Sequence, residues 1–248
     1  MSALILAVVA GAVIGLALGA LGGGGSVLAV PALIYLLGFT PVAATTAALV
    51  IVALTSGTAL TAHARDGHVR WGTGLLFAAA GIGPAMLGSA LAGHLPTGAL
   101  SAGFALVAAA AAVRMLRPRA EDGAVREVRP GRAAAVGAGL GAVTGVLGVG
   151  GGFLAVPALV GVLGLRMREA VGTSLLVITV NSLAALGLRG GTMDHLDWAV
   201  AGPFAGAAIL GAWDGRRLGA KVKGGTLRQV FAVVLLAVAA FMFADAVI

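Results

Sequence analysis

Cysteine is absent from the chain, so neither a disulfide framework nor thiol redox chemistry is open to it. Charge is nearly as scarce. Only 10% of the 248 residues are Asp, Glu, Lys or Arg, against about 25% in an ordinary soluble domain. With 60% hydrophobic residues and a mean hydropathy of +1.07, a soluble fold would lack the polar surface to cover itself. Acids number nine and form no pair at catalytic spacing. No GK[ST] follows a glycine run, and there is no HExxH. These absences argue against an enzyme, an ATPase module, a bound cofactor or a resident metal. The few His, Asp and Glu in apolar segments also argue against a nickel or cobalt carrier.

Long apolar runs are what the chain does have. Segments 43–62, 72–93, 98–116, 169–188 and 226–248 approach or exceed the roughly 20 residues that cross a bilayer as helix. They are apolar on every face, which excludes the alternation of a membrane β-barrel. The expected fold class is therefore all-α, a polytopic membrane protein. Its N-terminus, MSALILAVVAGAVIG, lacks a positive leader region and reads as a retained first span. The net charge of +7 fits basic cytoplasmic loops and not nucleic acid.

The chain also repeats itself. GALGGGGSVLAVPAL at 19–33 returns as GVLGVGGGFLAVPAL at 145–159, an offset of 126 that brings Gly19 onto Gly145 and Pro31 onto Pro157. Gly11 and Gly15 fall likewise on Gly137 and Gly141. Past position 40 the offset becomes 127, placing Thr46 on Thr173, Thr55 on Ser182 and HVRW (68–71) on HLDW (195–198). Residues 1–116 form the first transmembrane repeat, 117–132 a polar cytoplasmic linker, and 133–248 the second repeat. Each half holds five apolar segments: 2–21, 26–38, 43–62, 72–93 and 98–116, then 133–148, 152–165, 169–188, 197–213 and 226–248. The second of each is short and carries a proline, so the expectation is about eight full spans plus two short or broken helices.

Charge relates the halves. The linker and loop 214–228, with five cations, read as cytoplasmic, whereas the counterpart loop at 93–98 has neither Lys nor Arg. Equivalent loops on opposite sides mean an odd number of crossings per half, hence an inverted repeat. A parallel repeat would put the five-cation loop outside. His63, His68, His94 and His195 fall at segment ends or in loops, His68 and His195 beside Trp71 and Trp198 as interface anchors. Asp214, just before Gly215-Arg216-Arg217, reads as an arginine-paired carboxylate.

Glycines spaced by four, such as Gly11, Gly15 and Gly19, suit close helix packing. Consecutive glycines go further, because each costs about 1 kcal/mol relative to Ala inside a helix. Irregular backbone in a bilayer is tolerated where it lines a cavity or is buried in protein. A half-helix starting at Ser26, with Ser26 as N-cap, would aim its free N–H groups and dipole at the turn. Two such ends make an anion site near the membrane midplane without a basic side chain. The candidate substrate-binding residues are Gly22, Gly23, Gly24, Gly25 and Ser26, with Gly150, Gly151 and Gly152. Thr45, Thr46, Thr173, Ser174 and Asn181 join them from the hydroxyl-rich third segments, where helical spacing stripes one face. Bonding to their own backbone is the competing role for these hydroxyls.

GLALGALGGGGSVLAVPAL with AATTAAL, and GAVTGVLGVGGGFLAVPAL with AVGTSLL, resemble the sulfite exporter TauE/SafE family, also called the toluene sulfonate uptake permease family. The resemblance covers nearly the whole chain, although Ala47 stands where the second half has Ser174. It implies a bacterial inner-membrane permease for a small anion such as sulfite, sulfoacetate, another organosulfonate or a related sulfur oxyanion. The expected partners are that anion, the lipid bilayer and a coupling ion, proton or sodium; glycine spacing serves a homodimer as well as helices of one chain. A channel-like anion pore and a non-catalytic membrane subunit of a larger complex are the alternatives.

Overall fold

The computed structural model of the chain describes residues 2–92, 97–116, 128–147, 152–188 and 198–247. Gly150, Gly151, His94, His195 and most of the linker lie outside them. The described residues form ten α-helices and no strand: α1 (Ser2–Leu21), α2 (Gly24–Pro31), α3 (Pro41–Arg65), α4 (Trp71–Ala92), α5 (Thr97–Leu116), α6 (Pro130–Val146), α7 (Gly152–Gly161), α8 (Met167–Leu188), α9 (Trp198–Lys221) and α10 (Gly224–Val247). Among them α1, α3, α4, α8 and α10 are long and apolar enough to cross a membrane.

Several helix ends differ from the hydropathy boundaries. α9 does not stop at 213 but runs on through Asp214, Arg216 and Arg217 to Lys221, so the expected loop 214–228 is mostly helix. Charge marks where the chain leaves the apolar layer, whereas backbone hydrogen bonding continues into water. α6 likewise begins inside the expected linker, with Pro130 in its first turn, where its missing N–H would have no intrahelical partner. α3 starts at Pro41, and the Thr40 hydroxyl accepts from the Ala43 N–H at 3.4 Å. Pro31 lacks the N–H for a helical bond, and α2 passes directly into one π-helical stretch at Ala32–Leu36.

Helices of one half pair with helices of the other. α1 lies on α9, α4 on α6, α3 on α8, and α5 on α10. A Cβ on Gly11, Gly15 or Gly19 would collide with the backbone carbonyls of Phe204, Ala208 and Ala212 respectively. Gly137, Gly141 and Gly145 meet Phe77, Gly81 and Ala85 in the same way. In each pair the numbers ascend together, so α1 runs with α9 and α4 with α6. These are the small-residue seams of membrane helices, where missing side chains let backbones approach. α3 and α8 run in opposite directions: His63 lies beside Gly172, and Ser56 shares a 2.9 Å hydroxyl contact with Thr179.

One end of the bundle gathers the cations. Arg216 on α9 pairs with Asp66 after α3 at 2.7 Å, and Arg70 before α4 pairs with Glu169 on α8 at 2.9 Å. The Arg168 guanidinium donates to the Ala220 carbonyl at 2.9 Å. Both ion pairs therefore bridge the two halves. Asp214 faces Arg217 at 3.7 Å, the arginine-paired carboxylate expected from the sequence.

Candidate substrate site at the glycine turns

α1 ends at Leu21 because Gly22 takes φ +73°, a left-handed conformation that glycine adopts without a Cβ penalty. The Gly22 N–H still closes the helix on the Leu18 carbonyl at 2.8 Å. Gly23 then caps α2, which begins at Gly24. Ser26 is thus the third residue of α2 and not its N-cap. The helix starts two residues earlier than expected, because Gly23 already has helical φ and ψ. Gly23 supplies no side-chain cap to the first turn.

The two glycine segments meet. A Cβ on Gly23 would overlap the Gly152 carbonyl and come within 2.7 Å of Phe153 Cα. One on Gly22 would lie 2.5 Å from Ser174 Oγ. The beginnings of α2 and α7, equivalent segments of the repeat, are therefore backbone to backbone, with α8 closing on them through Ser174. Gly25 is turned elsewhere: its Cβ position is occupied by Ile14 and Leu18 of α1, so it serves helix packing. Gly24 is the first residue of α2.

Thr173 and Ser174 are fully buried. Thr173 Oγ1 accepts from the Arg70 N–H at 3.1 Å, which ties α8 to the chain before α4. The Ser174 hydroxyl donates to the Val171 carbonyl at 2.8 Å, so donating to an anion requires it to rotate. Thr45 and Thr46 stand on α3 next to Ala44, Ala47 and Ala48, which share an apolar cluster with Ala29, Leu33 and Phe204, beyond the glycine turn along α2. Asn181 is half-buried and its Oδ1 has no partner among the described residues. Most other hydroxyls of the third segments bond their own helix: Thr55 donates to Ile51, Thr58 to Leu54 and Thr179 to Leu175.

The structure adds a residue that the sequence reading left at a segment end. His63, near the C-terminus of α3, is buried. Its Nε2 lies 3.4 Å from the Gly19 carbonyl, one turn before the α1 break, and its Nδ1 has no partner among the described residues. Gly67 at φ +71° folds the chain back after α3, so the His68 N–H reaches the His63 carbonyl at 3.1 Å. The one available signal was that His63 precedes Arg65, the first cation of that loop, by two residues.

An open groove of about 470 Å³ lies away from the turns, between α1, α2 and α10. Leu6, Val13, Leu28, Tyr35 and Phe241 are among its lining side chains. A wall this apolar offers nothing to an anion.

Comparison with known proteins gives the same picture at family level. The family model described as sulfite exporter TauE/SafE matches residues 7–242. A probable membrane transporter protein of Xylella fastidiosa strain 9a5c is 35% identical over 247 residues, covering 96% of this chain and 94% of the relative. Its counterpart in strain Temecula1 is 34% identical with the same coverage. No solved structure matches. The chain belongs to the sulfite exporter TauE/SafE family and is a multi-pass membrane transporter.

Proposed function

We propose that the protein is a secondary transporter of a small sulfur-bearing anion, such as sulfite, sulfoacetate or another organosulfonate, bound where the glycine turns of α2 and α7 meet. The observation that carries this reading is the contact of Gly23 with Gly152, which brings two helix beginnings together without a basic side chain. Helix N-termini offer free N–H groups and the positive end of the dipole to an anion. Ser174 beside Gly22 adds a hydroxyl at the same point. The chain has no P-loop signature, so in this reading transport draws on a gradient or on an outside partner and not on nucleotide bound by this chain.

The halves form an inverted repeat in this reading. Support comes from the repeat-equivalent helices α3 and α8, which run in opposite directions, and from the exchange of partners in α1–α9 and α6–α4. The basic end, with Asp66, Arg70, Arg168 and Arg216, then faces the cytoplasm of a bacterial inner membrane. Reporter fusions at positions 96 and 221 test this; the same side for both would contradict it.

Thermal-shift measurements on purified protein test the ligand. Sulfite or sulfoacetate should raise the melting temperature more than chloride or acetate at equal ionic strength. Stabilisation by a divalent cation, with none by any anion, would overturn the reading.

A further inference from the structure

Among the described residues, His63 is the one buried titratable side chain, at 9% exposure. Three elements surround it. From α1 it meets the Gly19 carbonyl at 3.4 Å. From α8 it meets Gly172, where a Cβ would lie 3.4 Å from His63 Cβ and collide with the His68 backbone. His68, in the turn after α3, has its ring centroid 6.4 Å away and is half-exposed at the basic end. The charged groups facing His63 are Asp66 and Arg216, which are paired with each other. Glu169, one turn before Gly172 on α8, is paired with Arg70.

The tautomer follows from these partners. A carbonyl only accepts, so the imidazole must place its hydrogen on Nε2 to bond Gly19, which leaves the Nδ1 lone pair. Among the described residues that nitrogen is buried and unpartnered, a place where a proton can be taken up without breaking an existing bond. Gly19 is one turn from Gly22 and Gly23, and Gly172 is two residues from Ser174, so His63 stands one helical turn along α1 and two residues along α8 from the glycine-turn site. It stands on the α3 C-terminus, the dipole end that favours a cation.

We infer that His63 is the proton-binding site of a proton–anion symport, charged at Nδ1 when the anion occupies the glycine turns and neutral when it leaves, with His68 passing the proton in from the basic end. This deepens the transport reading above and rests on it. An imidazolium one helical turn from the bound anion attracts it through a medium far less polarisable than water, so anion and proton bind together. One proton travels with each anion, and no bond other than N–H is made or broken. The second half has no copy of this group: under the repeat, Gly190 stands at the position of His63.

Proteoliposomes of the full chain with trapped pyranine test the inference, using labelled sulfoacetate, which stays fully ionised between about pH 6 and about pH 8. Wild type should accumulate sulfoacetate above its outside concentration when the outside is acid, with the lumen acidifying as the anion enters. His63→Gln keeps an N–H for the Gly19 carbonyl but cannot titrate. It should lose accumulation and lumen acidification, and its exchange of labelled for unlabelled sulfoacetate should no longer change with pH. His63→Arg, whose guanidinium stays protonated across this range, gives the same loss of pH dependence from a second variant. Uphill accumulation by both variants at the wild-type level would overturn the inference, as would wild-type flux indifferent to the pH gradient. The latter result leaves anion transport itself intact. Absence of sulfoacetate and sulfite flux in wild type at every pH would instead remove the transport reading, and this inference with it.

Discussion

The same six residues, LAVPAL, occur at 28–33 in α2 and the π-helical stretch after it, and at 154–159 in α7, yet they are treated differently. In α7 every residue from Gly152 to Val160 is buried. α5 closes on it, with the Phe104 and Phe153 rings 5.0 Å apart. In the first half only Ala29 and Leu33 of the six are buried, and the helix ends in exposed Tyr35 and Leu36. There Phe241 of α10 meets Tyr35 edge-on at 6.3 Å and leaves the apolar groove open. Local sequence therefore specifies the short proline-bearing helix, while the neighbouring helix decides whether it is enclosed. One short helix is enclosed and the other partly exposed, and the contact of Gly23 with Gly152 brings their beginnings together.

Substitutions can separate these roles. The largest difference is expected at the aromatic neighbours. Phe104→Ala empties a fully buried site and should cost about 3–5 kcal/mol. Phe241→Ala, at a half-exposed ring, should cost under about 1 kcal/mol, and melting curves in detergent would compare the two. Within the shared motif, Leu154→Ala should cost about 2–5 kcal/mol, whereas Leu28→Ala should cost clearly less. Equal losses would mean that α2 is as enclosed as α7. Gly22→Ala must hold a left-handed backbone and displace Ser174; it should cost about 1–3 kcal/mol while transport falls much further than stability. The smallest effect is expected at repeat-equivalent positions 47 and 174. Ser174→Ala should weaken anion affinity by about 2- to 10-fold, the worth of one hydrogen bond. Ala47→Ser, in the half that lacks the hydroxyl, should change affinity less, as equilibrium binding would reveal.

Much of this was legible in the sequence. Composition specified a helical membrane protein, and the duplicated glycine and proline pattern marked the two short helices. The four-spaced glycines announced helix seams. Their partners were hidden, because hydropathy does not say which apolar face meets which, and here each seam joins opposite halves. The extension of α9 to Lys221 was hidden for a related reason: charges report the membrane boundary, not the end of hydrogen bonding. Ser26 reads as a cap by residue type, but the left-handed turn at Gly22 lets α2 begin at Gly24. In the sequence His63 reads only as a segment-end residue; its burial depends on α1 and α8 folding over it, and no local pattern records that.

The most direct measurement is saturable sulfoacetate uptake into proteoliposomes by wild type and by Gly23→Ala, whose added Cβ must part the beginnings of α2 and α7. The account predicts saturable uptake by wild type and its loss in Gly23→Ala, with the variant still inserted and monodisperse. Uptake by the variant at the wild-type rate and affinity would contradict a site built where the two glycine turns meet.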